Sequence, residues 1–137
     1  MKQWLLLLVL FFGCGLVQAD DSATLKIVES TARSWFKLVD DGQYKEGWEM
    51  SSTLFKTKTP EAQWIKSITE IRILRGAMTA RYIATAGVTK SVSGFPDGEY
   101  IVLQFYTTFA EKGLAMETVT LVKIAENTWQ IADYAIK

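Results

Sequence analysis

The sequence contains no histidine, and its one cysteine, Cys14, lies inside an apolar N-terminal run. Without imidazole, neither a Ser-His-Asp nor a Cys-His relay can be assembled, and ordinary zinc ligand sets cannot form. No glycine-rich phosphate loop is present, and the acidic stretch DDGQYKEGWE (40–49) does not have the spacing of a calcium loop. Ser34 and Lys37 share the spacing of the first motif of penicillin-recognising enzymes, but the companion motifs are missing. Neither charge sign dominates, since 15 Lys and Arg balance 15 Asp and Glu. The strongly basic footprint of a nucleic-acid binder is therefore absent. No cofactor and no metal are expected.

The N-terminus reads as an address. Lys2 gives a positive start, and Leu5 to Val17 form an apolar segment too short to cross a bilayer. Val17 and Ala19 match the small-residue pattern of a signal peptidase site, so residues 1–19 are expected to be removed by cleavage after Ala19. The expected location is the periplasm or outside the cell. A lesser alternative is a lipid anchor on Cys14, for which Gly13 suits but Phe11 and Phe12 are bulky. After cleavage, 118 residues remain, with a net charge of −1, no cysteine and no transmembrane segment. That is the size of one domain, 20–137.

The rest reads as helices first, then strands. Asp21 and Ser22 are N-cap candidates for a helix with Leu25, Val28, Ala32, Trp35 and Val39 on its apolar face. It stops at Asp40-Asp41-Gly42, where glycine can take a left-handed cap conformation. A second helix is expected over 43–55, with Tyr44, Trp48 and Phe55 inward. A third begins at Thr59-Pro60, a capping hydroxyl followed by proline at the first helical position. Its stripe is Trp64, Ile65, Ile68, Ile71 and Leu74, and Arg75-Gly76 closes it.

From Met78 onward the period becomes two. The segment MTARYIATAGVTKSV, rich in threonine and β-branched residues, has small residues that permit a bend. GFPDGEY is a turn in which Pro96 fixes one dihedral and Gly98 accepts a positive one. YIVLQFYTTF then places Ile101, Leu103, Phe105 and Phe109 on one face, with Gln104, Tyr106 and Thr108 on the other. Short connections at EKG and ENT complete a four-stranded antiparallel meander. The fold class is α+β, about three helices covering one face of a bent sheet in a cone-like or cystatin-like arrangement. By fold-level analogy, this outline resembles folds related to nuclear transport factor 2 and ketosteroid isomerase.

The strings WFKLVDDGQYKEGW, GFPDGEYIVLQFYTTFAEK and METVTLV, with Phe55, Trp64 and Trp129, resemble bacterial domain of unknown function 4019 over nearly the whole mature chain. The resemblance implies an exported protein with the cone-like fold and supplies no activity or site residues. ILRG (73–76) and ADYAI (132–136) depart from the family's turn and glycine pattern.

Two acids invite a catalytic reading. Asp40 could be a proton-shuttling base with Tyr44 as hydrogen-bond donor, or one of two aspartates turning a corner and capping the next helix. Asp133, read as sharing a strand face with Trp129, Ile131 and Ala135, is either a buried proton carrier or the partner of an Arg or Lys. Glu117 can pair across the sheet with an arginine. Arg72, Arg75 and Arg81, with Lys56 and Lys58, frame an anion site or solvate a helix end. Trp48, Arg81, Tyr82 and Tyr106 are the residues expected to line a cavity under the sheet.

The leading expectation is a non-enzymatic domain that binds a small apolar or anionic ligand or a periplasmic protein. The rivals are a cofactor-free isomerase or lyase with an Asp/Tyr pair, and an accessory subunit with a filled core. The ligand's identity and the oligomeric state are not readable from these residues.

Overall fold

A computed structural model describes the backbone of residues 15–137 and the side chains of 21–137. The expected leader and Cys14 lie outside the described side chains. Four helices come first: α1 (Gly15–Asp40), α2 (Tyr44–Met50), α3 (Thr53–Lys58) and α4 (Glu61–Arg75). Four strands follow: β1 (Met78–Thr89), β2 (Tyr100–Phe109), β3 (Gly113–Ala125) and β4 (Thr128–Ile136). They form an antiparallel meander in the order β1-β2-β3-β4, with the helices packed against it. Among the described residues, no helix is long and apolar enough to cross a membrane.

Helix α1 buries Val28, Ala32, Trp35, Phe36 and Val39. Asp21 and Ser22 lie within it and do not cap it, and Leu25 remains partly exposed. Gly42, at φ +77°, turns the chain after it. The expected second helix is in fact two. Ser51 and Ser52 leave the helical region, and the Ser52 hydroxyl accepts from the Phe55 amide to start α3. Both serines are buried, and the Ser52 N–H donates to the Ile131 carbonyl on β4, 2.8 Å away. The break thus places a helix start against the sheet edge. Thr59 ends α3, and Pro60 is the N-cap of α4, so that helix starts one position later than expected.

Strand alternation holds where it was clearest. Ile101, Leu103, Phe105 and Phe109 of β2 face the helices, with Val119 and Leu121 of β3 and Trp129 and Ile131 of β4. Phe55, Trp64 and Ile68 close this core from above. Three indole N–H groups bind the helical layer together. Trp35 donates to Gly47 O at 3.0 Å, Trp48 to Thr59 O at 2.8 Å and Trp64 to Tyr44 O at 2.9 Å. A smaller cluster of Tyr100, Val122 and Ala132 is packed by Leu54, Val92 and Phe95. In the β1–β2 connection the positive φ belongs to Gly94, not to Gly98.

The register shifts at Thr79 and Ala84 in β1, at Ile124 in β3 and at Ala132 in β4. Each extra residue bends its strand and resets which side chain faces inward.

Candidate functional site

The most concentrated chemistry lies inside the fold, where the end of α1 meets the start of β1. Asp40, the last residue of α1, is disfavoured there by the helix dipole. Two guanidiniums offset this. Arg72 Nη1 from α4 lies 2.9 Å from Asp40 Oδ1, and Arg81 Nη1 from β1 lies 2.8 Å from Oδ2. Arg81 Nη2 adds a bond to Oδ1 at 3.1 Å, so both carboxylate oxygens are occupied. Asp40 therefore does not cap α2, whose N-cap Gln43 makes no side-chain bond.

Arg81 also reaches across β2. Its Nε donates to Glu117 Oε1 on β3 at 2.8 Å, and Thr107 Oγ1 donates to the same oxygen at 2.6 Å. The Tyr134 hydroxyl donates to Glu117 Oε2 at 2.5 Å. Glu117 is wholly buried, and the Arg81 guanidinium lies 3.8 Å from the centre of the Phe36 ring. Burial works against the Arg81 charge, but its hydrogen bond to Asp40 and the charges of Glu117 and Asp40 outweigh it and raise its pKa. Burial, then the adjacent charge of Glu117, holds the Tyr134 phenol well above its ordinary range. Among the described residues, no buried side-chain nitrogen or oxygen lacks a hydrogen-bond partner. Such a closed set of donors and acceptors fixes structure.

The space between helices and sheet is filled with rings. Trp35 packs against Phe36, Phe55, Trp64 and Tyr134, with centroids 5.3–6.2 Å apart. The four residues expected to line a cavity do not converge. Arg81 faces the interior, while Tyr82 and Tyr106 pair across β1 and β2 on the uncovered face, 69% and 48% exposed. Trp48 is held by its Thr59 bond, with the Lys56 ammonium over its ring. Asp133 does not continue the inward face of Ile131. The extra residue at Ala132 puts Tyr134 there, and Asp133 forms a surface pair with Lys58 at 3.4 Å. Tyr134 is the residue that sequence reasoning missed, because strand alternation carries no mark of a bulge. The three arginines do cluster, Arg72 and Arg81 on Asp40 and Arg72 with Arg75 over Phe109, whereas Lys56 lies over Trp48 and Lys58 over Phe95.

Besides a groove of about 360 Å³ between α4 and β4, lined by Phe55, Trp64, Ile68, Asp133 and Tyr134 among others, two surface grooves border these elements. One, of about 450 Å³, runs past Arg33, Lys37, Asp40, Asp41 and Arg81. Its charges are mutually paired: Arg33 with Glu29, Lys37 with Asp41 and Arg81 with Asp40. The other, of about 490 Å³, lies between the end of α4 and the edge of β3 and β4. Ile71, Leu74, Leu114 and Ile136 line it beside Arg75, Lys112 and Lys137. Leu74 and Leu114 are 64% and 68% exposed. Among the described residues, none of these three cations forms an ion pair. Nor do the described residues gather three or more groups able to hold a metal ion.

The family model described as Protein of unknown function (DUF4019) matches residues 31–134, and the chain belongs to that family. The matched span contains every member of the Asp40–Arg72–Arg81–Glu117–Tyr134 network. No curated protein matches the chain.

Proposed function

We propose that this DUF4019 protein is an exported, non-catalytic recognition domain that holds an amphiphilic anion, an apolar chain ending in a carboxylate, in the α4–β3–β4 groove. The observation that carries this reading is the groove's composition. Four aliphatic side chains sit beside three cations that form no ion pair among the described residues. Apolar surface favours a hydrocarbon, and unpaired cations at its rim favour one with a negative end. The groove's volume lies in the usual range of small-molecule sites.

The isomerase alternative has less support. A general base must reach the proton it removes, whereas Asp40 has both oxygens on guanidiniums and Asp133 is paired at the surface.

Calorimetric titration with decanoate and with decyltrimethylammonium tests the proposal. Decanoate is expected to bind and the cationic analogue not to, with Lys112→Glu abolishing the decanoate heat and Leu114→Asp weakening it. Equal binding of the two amphiphiles, or none of decanoate, refutes it.

A further inference from the structure

The two outer edges of the sheet are treated differently. At β4, helix α3 packs against the strand and the Ser52 N–H occupies the Ile131 carbonyl. At β1, among the described residues, no backbone hydrogen bond from Met78–Thr89 goes anywhere except to β2. An unpaired strand edge is a row of donors and acceptors matched by another extended strand. Protected edges usually carry lysine, proline or a bulge. In β1 a bulge falls at Ala84, but from Thr85 to Thr89 the pairing with Gln104 to Tyr100 is uninterrupted. That run, TAGVT, has no charge and no proline. Thr85, Ala86, Gly87 and Val88 are exposed, Val88 at 82%.

We infer that the Thr85–Thr89 edge of β1 pairs antiparallel with the same segment of a second copy of this chain, joining two sheets into one of eight strands. An edge that pairs with the same edge of a second copy is self-complementary and closes as a two-fold dimer. Centred on Gly87, the pairing sets Thr85 opposite Thr89 and Ala86 opposite Val88, and the two Gly87 residues meet at the axis. Thr–Thr and small aliphatic pairs are compatible across such a ladder. Lys90, the nearest free charge along the strand, falls opposite Ala84, so no like charges meet. The contact is short and its affinity correspondingly weak.

Sedimentation velocity over a concentration series, with hydrogen exchange at its two ends, tests the inference. A monomer–dimer equilibrium is expected, with amides of residues 85–89 gaining protection as concentration rises. Gly87→Lys brings two ammonium groups together at the axis and is expected to weaken dimerisation by about tenfold or more. A Cβ added at Gly87 meets nothing within 4 Å, so the monomer's urea midpoint should not move. Gly87→Val should retain the dimer. A chain that stays monomeric throughout overturns the inference. So does a dimer indifferent to Gly87→Lys, or one whose protection rises elsewhere. Should Gly87→Lys fail to fold, the hydrogen-exchange map of the unaltered chain decides.

Discussion

Arg81 and Glu117 meet across an intervening strand, with Arg81 Nε 2.8 Å from Glu117 Oε1 and Thr107 of β2 bonded to the same oxygen. Because Asp40 and Tyr134 are fastened to the two ends of this pair, one contact links α1, β1, β3 and β4. Charges this deeply buried are tolerated only when fully partnered, so removing any one member strands the others.

Glu117→Ala is accordingly expected to destabilise the fold by about 3–5 kcal/mol, since it leaves Arg81 in an apolar setting with half its partners. Glu117→Gln, which keeps the shape and some hydrogen bonding, should cost less. Replacing both partners with Arg81→Met and Glu117→Leu should cost less than the two single changes added together. Urea denaturation of the unaltered protein and these five variants checks the order. A loss for Glu117→Ala within the range of ordinary surface changes would mean the pair is incidental.

The two aspartates once open to a catalytic reading should separate by stability. Asp40→Ala removes the partner of two buried guanidiniums, and about 3 kcal/mol is expected. Asp133→Ala breaks only a half-exposed pair with Lys58, where at most about 1 kcal/mol is expected. Thermal melts of both variants distinguish the outcomes, and equal losses would refute the contrast.

Tyr134 predicts a pH dependence. Its folded pKa is raised above the ordinary value of 10.0 by burial and by Glu117. The unfolded chain therefore loses the phenolic proton first as pH rises, and the group's contribution is complete below about pH 10 and lost above it. Stability measured by urea unfolding should fall between pH 10 and 11.5 more steeply in the unaltered protein than in Tyr134→Phe. Parallel slopes would contradict the assignment.

Two glycines with similar positive φ should respond differently to alanine. Gly42 has φ +77° and open space around it, so Gly42→Ala should cost about 1–2 kcal/mol for the left-handed backbone alone. At Gly76, φ +80°, a Cβ would also stand 2.7 Å from Glu111 Cγ and 3.1 Å from its amide nitrogen. Gly76→Ala should therefore be the more damaging, as read from melting temperatures.

Much of this architecture was legible in the residues. YIVLQFYTTF declared its inner face because polar and apolar side chains alternate without interruption, and the pairing of Glu117 with an arginine follows from the same alternation. The role of Asp40 was not legible, because its partners lie 32 and 41 positions away and only the folded sheet brings them to it. The strand face assigned to Asp133 failed through one inserted residue, Ala132, while its pairing with a cation, Lys58, holds. The break between α2 and α3 did leave a mark in Ser51-Ser52, a hydroxyl pair suited to an N-cap, inside a stretch whose apolar spacing runs on without pause. The α4–β3–β4 groove left none, since Leu74 and Leu114 read equally well as core until the packing exposes them.

Methyl-resolved NMR during a decanoate titration tests the central claim most directly, namely that binding happens on the surface of a solid, fully paired interior. The expected result is shifts at Ile71, Leu74, Leu114 and Ile136, with Leu103, Val119, Leu121 and Ile131 unmoved. Shifts in the interior methyls and none in the groove would show that the ligand enters between helices and sheet, and would contradict the account.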